Sequence, residues 1–344
     1  MTQEINYLNR ANGQPNDGIN EMVRANWPDL VGQSFSGIIT RGVGGNYNVR
    51  LSDGRQLVAV PRGIFRKTGY TPTVGDHVVC SLTNDPDVPA RIDDIKKQKN
   101  VLVRPPLANT DYLILTFSVT SPAPDITLID KLLIICGAAG IKPVLCFTKR
   151  DLDAKAADQA VDAFRQLGFT VFSTSFTDHR ELDAFLGDDW NDKIIAFAGP
   201  SGTGKSTLFN AIAGKVIMET GEISDKLGRG RHTTRHVELI PCRGGFLTDT
   251  PGFTSLELSD LGMEPEEVIT GYPEFLKLSD YCRFNTCRHI KEPGCAVREA
   301  VEDGLIGDFR HQDFVQERYE RYIYFREQLD EIDPYIRKQR RESR

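Results

Sequence analysis

The chain has 344 residues, with 42 Lys/Arg against 48 Asp/Glu and a formal net charge of −6. That length holds two or three domains, and the balance excludes a chain drawn to nucleic acid by its overall charge. With a polar start, MTQEINYLNRANGQPNDG, and no apolar run of about 18 residues, neither a secretory leader nor a membrane helix is expected, and a cytoplasmic location is.

Residues 1–33 are polar and Asn/Gly-rich and read as a flexible arm. From Phe35 the pattern turns β: SFSGII, NYNVRL, the turn Ser52-Asp53-Gly54, RQLVAV, VGDHVVCSL and ARIDDIKKQ. Five short strands over 34–99 suit a small barrel of the OB type, a fold that often binds oligonucleotides. This stretch holds ten Lys/Arg against six Asp/Glu, about +4. Arg41, Arg50, Arg55, Arg62, Arg66 and Lys67 lie among Phe35, Tyr47 and Phe65. Cations interleaved with aromatic faces serve phosphate contact and base stacking, although such residues are common on any barrel.

NVLVRPPLAN, residues 100–109, reads as a linker, after which strands and helices alternate through 100–270. DYLILTFSV is a buried strand, and DITLIDKLLIICGAAG is a helix with an apolar stripe at Leu128, Leu132 and Ile135. KPVLCF is the next strand. DAKAADQAVDAFRQLG makes a helix capped by Asp153 and stopped by Gly168, and FTVFSTS and DKIIAFAG are further strands. The expected domain is α/β, a parallel sheet with helices on both faces and ligands beyond the carboxyl ends of its strands.

Gly199-Pro200-Ser201-Gly202-Thr203-Gly204-Lys205-Ser206 fits GxxxxGK[ST] and lies between the strand KIIAFA and the helix KSTLFNAIAG. Its glycines let backbone N–H groups close on phosphate oxygens, and the helix N-terminus adds positive potential. Lys205 is expected to reach the β/γ-phosphates and Ser206 to bind Mg²⁺. Asp249-Thr250-Pro251-Gly252 follows the strand GFLTD. Asp249 is the second Mg²⁺ partner through water, and the Gly252 N–H senses the γ-phosphate.

Thr148-Lys149-Arg150-Asp151 matches [N/T]KxD and ends the strand KPVLCF. The Asp151 carboxylate is suited to accept from guanine N1–H and N2–H₂, a donor pair that adenine lacks. Lys149 would lie along the base plane, and Ser175 would support the guanine carbonyl from the next strand end. These elements precede the phosphate loop, the segment 228–235 and DTPG at 249–252. A sheet brings its strand ends to one rim whatever their order, so the chain reads as a circular permutation opened at surface loops. The chain therefore leaves the nucleotide domain soon after DTPG, and movement there would pull on whatever follows.

Cys282-x4-Cys287-x-His289-x5-Cys295 gathers three of the seven cysteines, while Cys80, Cys136, Cys146 and Cys242 are scattered, unlike a disulfide framework. Three thiolates and an imidazole form a closed tetrahedral set for one structural Zn²⁺. This places a zinc-binding domain over 271–344, helical and charged from Arg298. The last twelve residues, DPYIRKQRRESR, carry five basic against two acidic, about +3. Basic ends around an acidic centre suit local contact with a polyanion.

Together, TKRD, GPSGTGKST, GRGRHTTR at 228–235, DTPGF and C-x4-C-x-H-x5-C with EPGCAV resemble the RsgA (YjeQ) family of circularly permuted, small-ribosomal-subunit-dependent GTPases, from about Phe35 to Tyr322. The resemblance implies an OB barrel, a central GTPase domain and a C-terminal zinc domain. It further implies GTP hydrolysis stimulated by the 30S subunit, late in its maturation, near the 16S rRNA decoding centre. A monomer is expected, with GTP/GDP as ligands and neither DNA nor membrane as partner. Position by position it carries Gly199 to Thr207 onto phosphates and Mg²⁺, Thr148, Lys149 and Asp151 onto guanine, and Cys282, Cys287, His289 and Cys295 onto zinc. Thr233 or Thr234 is the switch threonine, with Thr234 preferred. RYERY at 318–322 is similar to the Arg-Tyr pattern late in the family. Phe253 stands where many GTPases place a water-orienting glutamine, so intrinsic hydrolysis is expected to be slow. His232 is the candidate replacement, its alternative being contact with rRNA or local packing.

Overall fold

In the computed structural model, which describes residues 28–67, 69–83, 88, 90–218, 237–307 and 311–342, the chain divides into two units between Gln98 and Lys99. The first is built on β1 (Ser34–Val43), β2 (Asn46–Leu51), β3 (Gln56–Pro61), β4 (His77–Leu82) and β5 (Ala90–Ile95), with the short helix α1 (Gly63–Lys67) after β3. They close in the order β1-β2-β3-β5-β4, antiparallel except where β3 meets β5. Inward residues alternate along the strands: Val49, Leu57, Ala59, Val78, Cys80 and Ile92 are buried. All five expected strands are present.

The barrel corrects one part of the charge argument. Arg55 donates to Asp29 from both terminal nitrogens, at 2.9 and 2.8 Å, and to Asp53 from Nε at 2.7 Å. Its guanidinium holds both carboxyls below their ordinary range. Arg55 is therefore neutralised within the chain instead of being presented to phosphate, and the same contact ties down Asp29 of the expected arm.

The second unit opens with a correction as well. Residues 100–109 are no loose linker: β6 (Val101–Val103) and β7 (Pro106–Ala108) pair as an antiparallel ribbon that buries Leu102 and Leu107. Two prolines at the turn hid strands only three residues long.

Beyond it lies a six-stranded sheet in the order β10-β9-β8-β11-β13-β12. Its members are β8 (Thr110–Ser118), β9 (Lys142–Thr148), β10 (Thr170–Ser173), β11 (Ile194–Ala198), β12 (Ile240–Cys242) and β13 (Gly245–Asp249). All neighbours are parallel except the edge pair β12–β13, which turns back through Arg243 and Gly244. Crossover helices are α2 (Ile126–Ala139), α3 (Ala154–Gln166), α4 (Arg180–Leu186) and α5 (Lys205–Ala213). Asp153 caps α3 as expected, accepting from Ala156 N at 2.9 Å. The buried face of α2 is wider than the predicted stripe, taking in Ile129, Leu133, Ile134 and Cys136, while Leu128 is only half-buried. Phe197, Phe209, Trp190, Leu208 and Leu247 form the core between β11 and α5.

After β13 the chain runs through three 3₁₀ turns, Phe253–Ser255, Ser259–Leu261 and Pro265–Gly271, into α6 (Pro273–Ser279), α7 (Ala296–Glu302), α8 (Gln312–Asp330) and α9 (Pro334–Glu342). Arginines of α8 and α9 answer the acidic side chains of this stretch. Arg318 donates to Glu274 at 2.7 Å, Arg326 to Glu266 at 2.9 Å, Arg337 to Glu264 at 3.0 Å and Arg341 to Glu267 at 2.8 Å. Two of the tail's basic side chains, Arg337 and Arg341, are thus paired with carboxylates inside the chain, which narrows what the tail can offer a polyanion.

Arg318 is the centre of this arrangement. Its side chain is 0% exposed, pairs also with the fully buried Asp130 of α2, and lies 4.6 Å from the Tyr272 ring centroid. Arg321 donates to the second Asp130 oxygen at 2.6 Å. Burial pushes Asp130 up, and the two guanidinium groups pull it back toward the ionised form. Arg318→Ala leaves two buried carboxylates short of their cation and is expected to cost about 3–5 kcal/mol, measured by denaturant unfolding.

A candidate nucleotide site and a candidate metal centre

The strand β11, buried along its whole length, delivers the phosphate loop to the rim of the sheet. Gly199 is required by close approach: a Cβ there would lie 2.3 Å from the Thr116 carbonyl of β8. Gly199→Ala must therefore displace the loop; an overpacking cost of about 1–3 kcal/mol and at least a tenfold loss of GTP affinity are expected by melting and nucleotide titration. Gly202 and Gly204 take left-handed backbone, and Thr203 Oγ1 donates to the Pro200 carbonyl at 2.9 Å. Ser201 is exposed, and Ser206 and Thr207 sit half-buried in the first turn of α5. Lys205 is paired with Asp249 across 44 residues of sequence. The residue expected to reach phosphates and the one expected to hold Mg²⁺ are thus neighbours.

The guanine-reading strand end lies against the same loop. Thr148 Oγ1 donates to the Thr203 carbonyl and, at 3.2 Å, to Phe117 O. Residues 148 and 203 are thereby joined directly, although the Thr148 hydroxyl is occupied by backbone. Lys149 has left-handed backbone, with φ 60°, and its ammonium rests on the Ser121 carbonyl. Arg150 N donates to Thr174 O at 3.0 Å, which brings the ends of β9 and β10 side by side. Asp151, next along, is exposed. Ser175 is engaged in a turn: its N–H donates to Asp178 O at 2.8 Å, and its Oγ accepts from Asp178 N at 3.0 Å. Gly252 is exposed just past Asp249, while Phe253 is 1% exposed, so its ring is remote from solvent water. His232, Thr233 and Thr234 lie outside the described residues.

The four Cys/His ligand atoms converge within 4.8 Å of one another. His289 Nδ1 is 3.4 Å from Cys282 Sγ and 3.5 Å from Cys295 Sγ, and those two sulfurs are 4.0 Å apart. A tetrahedral ion with bonds of about 2.0 Å to nitrogen and 2.3 Å to sulfur has edges of roughly 3.5–3.8 Å, close to the spacing of His289, Cys282 and Cys295, with Cys287 Sγ within 4.8 Å of them. Burial pushes His289 down, keeping a neutral imidazole with a free lone pair. Burial pushes the Cys287 thiol up to about 12, so a cation between the sulfurs is what would make them thiolates. Backbone supports the set: Arg298 N lies 3.4 Å from Cys295 Sγ at the start of α7.

Several residues that build these sites were not singled out for it by the sequence. Tyr319 Oη donates to His289 O at 2.6 Å and Tyr322 Oη to Arg288 O at 3.1 Å, so the aromatic members of RYERY brace the metal loop. The two arginines of the same motif, Arg318 and Arg321, anchor α2 through Asp130. The signal was there: Asp130 is a carboxylate within the apolar run ITLIDKLLII, and a buried charge needs a partner.

Comparison with known proteins agrees with this geometry. The family model described as RsgA GTPase matches residues 95–259, and the RsgA N-terminal domain matches 36–87. The chain is 44% identical over 260 residues to the small ribosomal subunit biogenesis GTPase RsgA of Bacillus subtilis (strain 168), covering 74% of this chain and 86% of that one. With its counterpart from Geobacillus sp. (strain WCH70) the identity is 41% over 302 residues, covering 87% and 98%. Among solved structures, YloQ, a circularly permuted GTPase, aligns with a TM-score of 0.69 at 36% identity over 88% of this chain and 97% of that one. YjeQ from Thermotoga maritima aligns with a TM-score of 0.69 at 30% identity, covering 88% and 100%.

Proposed function

Because the chain belongs to the RsgA family of circularly permuted GTPases, and is therefore a GTP hydrolase, we propose that it acts late in maturation of the small (30S) ribosomal subunit, binding 16S rRNA near the decoding centre and leaving when the subunit stimulates GTP hydrolysis. The observation that carries the nucleotide half is the Thr148–Thr203 hydrogen bond, which joins the guanine-reading strand to the phosphate loop. The ribosomal half is supported by the names of the relatives. Among the described residues no helix is long and apolar enough to cross a membrane.

The residue roles in this reading are supported by the placement of Thr148 on the phosphate loop and of Lys205 beside Asp249. Asp151 accepts from the guanine edge, Lys149 flanks the base plane, and Thr148 fixes the strand end on the phosphate loop; Ser175 shapes the neighbouring turn. Gly199 to Thr207 wrap the phosphates with backbone N–H groups. Lys205 exchanges its Asp249 partner for phosphate oxygens, which leaves Asp249 and Ser206 to hold Mg²⁺. That ion, when bound, offsets charge developing on the phosphate oxygens. Thr233 or Thr234 closes the switch, and His232 orients the attacking water that the buried Phe253 cannot reach. Cys282, Cys287, His289 and Cys295 hold one structural Zn²⁺.

The barrel and the zinc region are the proposed rRNA contacts of a cytoplasmic monomer. Measuring GTP hydrolysis with and without purified 30S subunits tests this reading. Strong stimulation is expected, whereas an unchanged rate would favour an RNA-binding module whose nucleotide only shapes its grip. His232→Ala is expected to keep GTP affinity and lose the stimulated rate by a factor of about 10²–10⁴; a normal stimulated rate would remove His232 from the mechanism.

A further inference from the structure

We propose that helix α9 is a nucleotide-responsive latch, closed on the chain that follows Gly252 and loosened when a γ-phosphate draws Gly252 toward the phosphate loop. The proposal rests on GTP occupying the site and on nothing ribosomal. Downstream of Gly252 the chain is apolar and inward-facing: Phe253, Leu256, Leu258, Leu261 and Met263 are all buried. Segments packed in this way move as a unit and not residue by residue.

Helix α9 closes over that unit through specific contacts. Arg340 Nη1 donates to Ser259 O at 2.9 Å, Arg341 Nη2 to Glu267 Oε1 at 2.8 Å, and Arg337 Nε to Glu264 Oε2 at 3.0 Å. Arg337 also donates to Leu329 O at 2.6 Å, which fixes α9 against the end of α8. Between these contacts the backbones nearly touch. Gly262 has φ +50°, and a Cβ on it would lie 2.5 Å from Arg337 O and 2.7 Å from Arg341 N. The 258–264 stretch therefore cannot shift without moving α9.

The same region has room for a shift. A cavity of about 120 Å³ is lined by Phe253, Leu261 and Met263 on one side, by Ile135 and Ala138 of α2 on another, and by Arg341 of α9. Phe253, one residue from the γ-phosphate sensor, and Arg341, in the last turn of the final helix, thus border one void. Spare volume beside the packed segment gives it somewhere to move, and a ligand that prefers the moved arrangement shifts the balance. The triphosphate state is the one in which Arg340 and Arg341 are released.

Hydrogen–deuterium exchange on the full-length chain tests this, comparing GDP with a nonhydrolysable GTP analogue. The amides of 334–342 are expected to exchange roughly tenfold faster with the analogue, a coupling of ordinary size. Coupling is reciprocal, so the double substitution Arg340→Ala/Arg341→Ala is expected to shift the ratio of GDP to analogue dissociation constants by a similar factor toward the analogue. Equal α9 exchange in the two nucleotides, or an unchanged ratio in the variant, overturns the latch. If 250–256 still distinguishes the nucleotides in that case, sensing is intact and the relay has failed; if it does not, the nucleotide reading has failed with it.

Discussion

Asp151→Asn is expected to lower GTP and GDP affinity on the order of 10⁴-fold while allowing xanthosine triphosphate to bind. A carboxylate takes both guanine donors, N1–H and N2–H₂. An amide opposite the same edge sets one N–H against another, leaving donors unpaired, and sites built on hydrogen bonds reject such mismatches strongly. Xanthine carries an oxygen where guanine carries the amino group, so it restores the match to asparagine. Asp151 is exposed and follows Arg150, whose backbone is bonded to β10, so the substitution leaves the fold undisturbed. Titration with fluorescent guanosine and xanthosine nucleotides reads the result. Unchanged guanine affinity in the variant would remove Asp151 from base recognition.

The second large effect concerns the metal. Removing the ion, by chelation or by Cys295→Ser, is expected to unfold residues 282–295, because structural zinc in such sites contributes on the order of 10 kcal/mol of binding free energy to folding. Apolar packing is thin at the start of this loop, where Tyr281 is 78% and Phe284 43% exposed, although Arg288 pairs with Asp330 of α8. The Tyr319 and Tyr322 hydroxyls grip the backbone around His289, and the Tyr322 ring lies 6.2 Å from the His289 ring. Metal content should fall from about one ion per chain to near none, with fast amide exchange confined to the loop and α7, while GTP affinity is retained. A loop equally protected without metal would show that packing, not the ion, sustains it.

How far these sites could be read from sequence depends on how local their physics is. The phosphate loop and the Cys/His set need adjacent residues at fixed spacing, so both stand out as short motifs, and their ligand atoms do meet. The barrel was legible because inward positions alternate along strands such as β2 and β3. The guanine element was legible only in company, since four residues carry little information until a sheet joins them to residue 203.

What escaped was long-range pairing. Arg318 and Asp130 are 188 residues apart, and no local pattern announces that they will share one buried site. The tail's charge was overcounted for a related reason: a count of charges does not say which partner neutralises them, and Glu264 and Glu267 pair with Arg337 and Arg341. Ser175, assigned to the guanine carbonyl from its place at a strand end, accepts from the Asp178 N–H within its own turn, which leaves its O–H to donate. The ribbon at 101–108 was missed because three-residue strands show too little alternation to register.

The central claim is that residues at 148–151, encoded ahead of the phosphate loop at 199–206, make one guanosine triphosphate site with it. Its most direct test is competition for a fluorescent GTP analogue bound to the purified chain. Unlabelled GTP and GDP should displace the probe while ATP, even at a thousandfold higher concentration, does not. Displacement by ATP and GTP at equal concentrations would contradict the account.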